Sequence, residues 1–145
     1  MAAIAQALPG DRVQISTDAH TEPFWQAAKE DRLVAPRCGD CDTFRMPPTP
    51  FCPNCRSKNV TWIQLSGRAT VFSYSVVHGY PGITDIVLVA AVLDLPDAPG
   101  ARSGSNIVDV DPNEVEIGME VEVFFSPIAD GWKRPLVRPV GAAEE

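Results

Sequence analysis

Four cysteines are the residues of this sequence whose type and spacing best fit a metal site. They form two Cys-x-x-Cys pairs, Cys38–Cys41 and Cys52–Cys55, and they are the only cysteines among the 145 residues. One such turn directs two thiolates at a single point, and a second turn supplies the other two corners of a tetrahedron. Four thiolates suit Zn²⁺ at roughly 2.3 Å per Zn–S bond. The spacing therefore predicts a four-cysteine zinc site.

Two disulfides, a redox dithiol and an iron site are the alternatives for these cysteines. Disulfides need an oxidising compartment, and residues 1–5 lack the basic start and long apolar core of a signal peptide. A redox motif needs one reactive pair, whereas this chain has two matched pairs. Iron fits a four-sulfur site as well as zinc does and stays the second choice of metal. A closed site leaves no position for substrate, so we expect the metal to be structural.

The elements that must position the cysteines are a short helix and a metal ribbon. Thr21 as N-cap and Pro23 in the first turn predict a helix that runs to about Arg32. Within the ribbon, we expect Gly39 to supply a positive φ and Pro53 to pre-bend the second turn. The ribbon contains too little apolar area to fold alone, which couples its folding to metal binding.

A β-rich region follows the ribbon. We predict strands over residues 68–77, 83–95, 105–110 and 120–125, a loop over 78–82, and a last edge strand over 135–140. In the first strand, alternation places Phe72, Tyr74 and Val76 on one face and Val71 on the other. Five strands of this length favour a small closed barrel of the OB type.

The predicted organisation is mostly β, with four segments. Residues 1–21 form a flexible or draped N-terminal arm, 22–66 the helix and zinc ribbon, 67–141 an OB-fold domain, and 142–145 a tail. No apolar run approaches the roughly 20 residues of a membrane-spanning helix. We therefore expect a soluble, cytoplasmic protein with no membrane association.

The charge distribution bears on possible ligands. The chain carries a net charge of −7, which argues against nucleic-acid binding because such proteins present a basic face. Residues 29–58 nevertheless hold six bases and four acids. These bases either are solvated ribbon loops or form a basic patch for a phosphate-bearing ligand or an acidic partner.

The chain resembles a known family, in which a rubredoxin-like zinc ribbon precedes an OB-fold domain and the protein accompanies thiolase-superfamily enzymes acting on acyl-CoA. The resemblance covers residues 22–140 and rests on three stretches. They are the lead-in Phe24-Trp25, the ribbon with Pro47-Pro48 and Cys52-Pro53-x-Cys55, and the C-terminal run that contains Ile117-Gly118-Met119-x-Val121.

The resemblance implies an auxiliary role in a hetero-oligomer. Some members bridge a thiolase and a hydroxymethylglutaryl-CoA synthase, and others pair with a thiolase-like aldolase that removes steroid side chains by retro-aldol cleavage. The family would place an acyl-CoA between ribbon, barrel and partner, with the catalytic residues largely on the partner. The expected function is thus a subunit, not catalytic alone, that completes a lyase acting on a bulky acyl-CoA. A scaffold for a condensation complex is the alternative.

Several side chains are candidates for contact with acyl-CoA or the partner. CoA phosphates would have to meet bases of the ribbon, since no Gly-rich phosphate loop is present. Trp25 and Trp132 are interface candidates, although each could instead pack within the protein. His78 could act as a base but could also be merely solvated. The full set is Trp25, Arg37, Arg45, Arg56, Lys58, His78 and Trp132.

Two other functional classes remain open at this point. A single-stranded nucleic-acid-binding module is one, because ribbons and OB barrels both occur there, but the acidic charge disfavours it. A rubredoxin-type electron carrier is the other. Rubredoxins place a glycine directly after the second cysteine turn, whereas Arg56 follows Cys55 here. A salt-dependent binding assay and the colour of the pure protein discriminate these classes.

Overall fold

A computed structural model describes residues 4–141. Expectations for residues 1–3 and for the tail at 142–145 lie outside the described residues. One helix and seven strands follow one another along the chain, in the order α1 Glu22–Lys29, β1 Val34–Cys38, β2 Val60–Gln64, β3 Arg68–Tyr80, β4 Ile83–Asp94, β5 Arg102–Ile107, β6 Glu120–Pro127 and β7 Lys133–Pro139. The prediction of a mostly β fold with one helix, a ribbon and a barrel is confirmed.

The ribbon is a two-stranded antiparallel sheet that carries the cysteine turns. β1 pairs with β2 in a regular register from Val34↔Gln64 to Cys38↔Val60. The chain between the two strands returns through an isolated bridge between Arg37 and Phe44. The prolines at positions 47, 48 and 50 fall in this return, where no strand ladder needs their missing N–H groups.

The remaining five strands close into a barrel with the order β3-β4-β5-β7-β6. β7 pairs antiparallel with β6 along its whole length, and one parallel contact, Ile107↔Val137, joins it to β5 and closes the barrel. The prediction of an edge strand at 135–140 is therefore wrong, because β7 has neighbours on both sides. Pro135 and Pro139 are tolerated since β7 meets β5 at only one register position.

The interior of the barrel is filled by branched aliphatic side chains. Val71, Val89, Leu93, Val121 and Val137 are all at most 2% exposed. A register shift between Val71 and Ser73 marks a β-bulge at Phe72. The bulge puts Val71, which pairs with Leu93, on the same face of the sheet as Tyr74, which pairs with Ala91. The predicted alternation, with Val71 on the other face, is wrong for this reason.

His78 lies inside a strand and not in a loop. β3 continues to Tyr80, and His78 pairs with Val87 of β4. The prediction of a loop over residues 78–82 is therefore wrong except at the turn formed by residues 81 and 82. Gly79, with a φ of 84°, lies at a register shift within the strand. His78 is exposed.

The segment that precedes the helix lies along the barrel. The N–H of Ala5 donates to Val110 O at 2.8 Å, and the N–H of Asp109 donates to Ala5 O at 3.0 Å. Ala5 is only 1% exposed, and Gln6 N–H donates to Val87 O at 2.9 Å on β4. Residues 5 and 6 of the predicted N-terminal arm therefore lie against the barrel.

The start of α1 is organised by Asp18 and not by the predicted N-cap. Thr21 occupies the cap position, but its side chain makes no cap hydrogen bond. Asp18 instead accepts from the N–H groups of His20 and Thr21 at 2.9 and 3.0 Å. The helix ends at Lys29, three residues earlier than predicted, and Asp31 beyond it has a φ of 62°. Among residues 4–141, no helical segment combines the length and apolar character that crossing a bilayer requires.

Candidate functional site

The four cysteine sulfurs converge on one point. All four Sγ atoms lie within 4.8 Å of one another, with Cys38 and Cys55 at 3.6 Å and Cys41 and Cys52 at 3.5 Å. A tetrahedron with metal–sulfur bonds of about 2.3 Å has sulfur–sulfur edges of about 3.8 Å. These residues therefore fit a four-coordinate metal ion, and the predicted ligand set is brought together in full.

The two cysteine turns share one backbone geometry. Asp42 N–H donates to Cys38 O at 3.1 Å, and Arg56 N–H donates to Cys52 O at 2.9 Å. The residue after each pair has a left-handed backbone, with φ of 64° at both Asp42 and Arg56. Gly39 was expected to take the positive φ, and this expectation is wrong. Gly39 serves a close approach instead, since a Cβ there would lie 3.1 Å from the Cβ of Asn59.

Hydrogen bonds surround the sulfurs. Backbone N–H groups of Asp40 and Asn54 each point at the first sulfur of their turn, at 3.4 Å. The Thr43 hydroxyl lies 3.2 Å from Cys41 Sγ, and the Asn54 amide lies 3.6 Å from it. These two side chains lower the pKa of Cys41 to about 6. They thus favour the thiolate, which is the form that binds metal.

The cluster also opposes complete ionisation in the absence of a cation. The Ser57 N–H favours the thiolate of Cys55, but the neighbouring thiol groups outweigh it and raise the pKa of Cys55 to about 12. Four negative charges this close repel one another, so the last proton leaves only when a divalent cation compensates the charge. The site is therefore a structural metal centre whose ligands are set up by the fold of the ribbon.

Arg45 is an internal brace of the ribbon. It is only 3% exposed, and its guanidinium donates to Ser57 O at 2.8 Å and to Asn59 O at 2.7 Å. Asp40 accepts from the same segment, through the Ser57 hydroxyl and the Asn59 amide, and these bonds lower the pKa of Asp40. The structure thus uses Arg45, one of the predicted ligand contacts, to hold the second cysteine turn against the return of the ribbon.

A cavity of about 340 Å³ opens beside the metal centre. Its wall includes two aromatic rings, three prolines and three basic side chains. None of the described residues in the wall is acidic; they are Ala19, His20, Pro36, Arg45, Pro48, Thr49, Pro50, Phe51, Lys58, Val60 and Trp62. Lys58 Nζ lies 5.5 Å from the Phe51 ring centroid. Planar walls and bases suit a flat ligand that carries negative charge.

The other predicted contact residues are dispersed over the molecule. Arg37 lies beside Asp42, with Nε to Oδ1 at 3.7 Å, and Arg56 is exposed at the tip of the second turn. Trp25 lines a smaller cavity of about 230 Å³ between α1, the ribbon return and the barrel. His78 lies on the β3–β4 hairpin. The structure brings only Arg45 and Lys58 into one cavity.

Trp132 is engaged within the protein. The Nζ of Lys29 lies 4.0 Å from its ring centroid, and the Lys133 ammonium bonds Asp31 at 2.8 Å. These contacts join the end of α1 to the start of β7. Our sequence reasoning missed His20 and Trp62 as cavity residues, because neither belongs to a motif. For an isolated basic or aromatic residue, the sequence does not indicate which residues it contacts in the folded chain.

Two family models match successive parts of the chain. The model described as the ChsH2 rubredoxin-like zinc ribbon domain matches residues 25–61. The model described as the ChsH2 C-terminal OB-fold domain matches residues 62–126. The boundary between them falls within β2, so the first match corresponds to the ribbon and the second to the barrel strands β3 to β6.

Known proteins resemble the chain over most of its length. A DUF35 domain-containing scaffold protein of Methanocaldococcus jannaschii is 39% identical over 73% of this chain and 77% of its own length. A probable enoyl-CoA hydratase alpha subunit of Thermomonospora curvata is 36% identical over 84% of this chain. The chain spans 38% of the length of that subunit.

A solved structure gives the same result at the level of the fold. A chain of the Ltp2-ChsH2(DUF35) aldolase superposes with a TM-score of 0.77 and 31% identity, over 87% of this chain and 98% of that chain. The fold of ribbon and barrel is thus shared with that chain. The chain belongs to the ChsH2/DUF35 family of zinc-ribbon and OB-fold proteins.

Proposed function

We propose that this chain is an auxiliary subunit that docks on a thiolase-like enzyme and helps to form its acyl-CoA site. The observation that carries the proposal is the superposition on a chain of the Ltp2-ChsH2(DUF35) aldolase, which covers 98% of that chain. The reaction we propose is retro-aldol cleavage of a bulky, steroid-type acyl-CoA. The name scaffold protein, borne by the M. jannaschii relative, supports a role in assembly.

The cleavage itself would occur on residues of the partner. A base takes the proton of the β-hydroxyl group, the bond between the α and β carbons breaks, and its electron pair passes to the thioester enolate. This cleavage converts the β-hydroxyl carbon into a ketone, and protonation of the enolate then gives a shortened acyl-CoA, with no oxidant required. In this chain all four cysteines belong to the metal cluster, and His20 and His78 are exposed on separate parts of the molecule.

The part of this chain would be to bind and orient the CoA. The cavity beside the metal centre offers Lys58 and His20 to phosphate oxygens and Trp62 to a planar base. We propose zinc as the resident metal, because the matched ribbon is described as a zinc ribbon. The closed four-sulfur cage leaves no position for substrate, which suits a structural role for the metal. When bound, zinc would cross-link the two cysteine turns. Elemental analysis distinguishes zinc from iron.

Docking is the first part of the proposal to test. The chain is co-expressed with thiolase-like proteins from its source, and each mixture is examined by size-exclusion chromatography with light scattering. We expect a stable hetero-oligomer, and cleavage of acyl-CoA only by the mixture. Turnover of an acyl thioester by this chain alone, or the absence of a complex with any thiolase-like protein, would refute the proposal.

The CoA site is tested by charge reversal in that complex. Lys58→Glu should weaken acyl-CoA binding at least about tenfold, since it replaces a phosphate-binding cation with a repelling charge. Arg68→Glu is the matched control, because Arg68 is an exposed base on the barrel, away from the cavity. Equal affinities of the two variants for acyl-CoA would show that the cavity is not part of the acyl-CoA site. The proposed docking role would not be affected by that result.

A module of a hydratase is the second candidate. The T. curvata relative is named an enoyl-CoA hydratase alpha subunit, and its match to this chain covers 38% of it. A separate chain of this type could bind a hydratase and take the role that the matching part of the longer relative has within that subunit. Addition of water to an enoyl-CoA by a complex containing this chain, in place of C–C cleavage, would favour this candidate.

A further inference from the structure

β3 has an open edge on its side away from β4. β3 pairs with β6 only at Arg68, Ala69 and Thr70, and two further bonds join Val71 to Met119 and Gly118. From Phe72 to Tyr80, β4 is the only strand with which β3 is paired among residues 4–141. A row of backbone N–H and C=O groups is therefore free to pair with another strand.

Between Phe72 and Tyr80 the strand itself carries no charged side chain, and the Arg102 guanidinium of β5 lies 3.8 Å from the Phe72 ring centroid. The 16 residues from Ala69 to Thr84 include no Asp, Glu, Lys or Arg. Phe72, Val77 and Tyr80 are 44%, 39% and 44% exposed. Protein sheets usually shield an open edge with lysine, proline or inward-pointing charge. An open, uncharged and partly apolar edge indicates that another extended strand covers it.

The order of residues along the edge is nearly symmetric about Val76. An antiparallel partner of the same sequence, centred at Val76, would set Phe72 opposite Tyr80 and Tyr74 opposite His78. Ser73 would then meet Gly79, and Ser75 would meet Val77. Rings thus oppose rings and small residues oppose small residues, which is the pairing that stabilises adjacent strands. A two-fold contact requires this kind of self-complementary surface.

We propose that β3 pairs antiparallel with β3 of a second copy of this chain, about a two-fold axis at Val76. The two β3–β4 hairpins would then form one continuous four-stranded sheet. No like charges of β3 meet across the axis, because residues 72–80 include no Asp, Glu, Lys or Arg. The two copies nevertheless carry −7 each, so added salt should strengthen the dimer by screening their long-range repulsion. A contact of one short strand per copy predicts a reversible dimer.

Sedimentation velocity of the metal-loaded full chain over a range of concentrations tests the proposal. We expect a monomer–dimer equilibrium in the wild-type chain and a dimer dissociation constant raised at least about tenfold in Ser75→Lys and in Val77→Glu, since each places a charge in an uncharged pairing. Mixing these two variants should restore the dimer, because position 75 of one copy faces position 77 of the other. Thr84→Lys, with the same charge on exposed β4, should dimerise like the wild type.

Circular dichroism and metal content establish that the variants are folded, and hydrogen exchange provides a second measurement. Amide protection from Phe72 to Tyr80 should rise with protein concentration. A chain that stays monomeric at every concentration, a Ser75→Lys variant that dimerises normally, or a variant mixture that stays monomeric would overturn the proposal. So would protection of this edge that appears only when a different protein is added.

Discussion

The sulfur of Cys41 depends on a hydroxyl group two residues further along the chain. Thr43 Oγ1 lies 3.2 Å from Cys41 Sγ, and outer hydrogen bonds of this kind orient a metal ligand and stabilise its charge. We expect Thr43→Ala to lower the metal affinity by roughly 10-fold, measured by competition with a chromophoric chelator. Thr49→Ala is the control, because the Thr49 hydroxyl donates to Phe51 O at 2.7 Å. Equal affinities of the two variants would contradict this role.

Arg45 allows a second prediction for a single residue. Its guanidinium donates two bonds to backbone carbonyls from a buried position. Hydrogen bonds of charged groups contribute about 1.5–3 kcal/mol each, so Arg45→Met should lower the free energy of unfolding by about 3 kcal/mol. Denaturant unfolding of the metal-loaded protein measures this. Arg56→Met, at an exposed base of the same ribbon, should change stability much less, and a similar loss in both variants would refute the brace.

The sequence was sufficient to identify the metal ligands, but it did not predict which residues surround them. Cysteine spacing is a local property, so Cys38, Cys41, Cys52 and Cys55 could be assigned without a fold. The burial of Arg45 depends on the carbonyls of Ser57 and Asn59, which reach it only after β2 pairs with β1. The same pairing gave Gly39 its close neighbour Asn59, where we had expected a positive φ.

The loop between β4 and β5 stabilises the connection between ribbon and barrel. Asp97 accepts from the N–H of Ser66 at 2.8 Å, and hydrogen bonds from the Ser66 side chain and backbone lower the pKa of Asp97. A carboxylate with a depressed folded-state pKa contributes stability above its ordinary pKa of 3.8. This contribution is lost as the pH falls through the lower, folded-state pKa.

Asp97→Asn should therefore lower the melting temperature by a few degrees at neutral pH. This difference should shrink as the pH falls through the lowered, folded-state pKa of Asp97, because the wild-type carboxylate then becomes protonated. Thermal unfolding at several pH values measures the difference. Asp85→Asn is the matched control, since Asp85 is exposed on the β3–β4 hairpin. A melting difference that does not depend on pH would show that the Asp97 carboxylate is not the cause.

Strand identity could be predicted better than strand ends or neighbours. Alternation and β-branched residues were enough to place β3, β4 and β6, but Gly79 and Pro81 made the end of β3 look like a loop, although strand pairing with β4 carries it to Tyr80. The bulge at Phe72 adds one residue without any change in composition. Prolines suggested an edge position for β7, whereas closure of the barrel gives it two neighbours.

At the scale of the whole molecule, α1 and the barrel are joined through Trp132. Lys29 stacks on its ring at 4.0 Å, and the adjacent Lys133 bonds Asp31 at 2.8 Å. Trp132→Ala should lower the free energy of unfolding by about 1–2 kcal/mol, because it removes a half-buried ring and a cation–π contact. Trp132→Phe, which keeps a ring under Lys29, should retain most of this stability in denaturant unfolding. Equal losses of unfolding free energy in both variants would show that the contact between Lys29 and an aromatic ring does not contribute to stability.

The overall architecture followed from the sequence, and the cavity did not. The change from cysteine turns to alternating apolar residues, at about residue 67, defines the order of ribbon and barrel. The cavity needs His20 from the segment before α1, Phe51 from the ribbon return and Trp62 from β2 to meet. These three lie at long separations along the chain, and no periodicity links them. Their approach is set only by the packing of ribbon, return and arm.

Arg56, with its left-handed backbone, affects both the thermal stability of the ribbon and the positive charge at its tip. A side chain at φ of 64° costs about 1 kcal/mol relative to glycine, so Arg56→Gly should make the protein more resistant to heat. The same change takes a positive charge from the tip next to Cys55 and would reduce any attraction of that tip for an anion. Calorimetry and anion titration of this one variant should thus move in opposite directions, and engineering for heat resistance here would trade away electrostatic attraction.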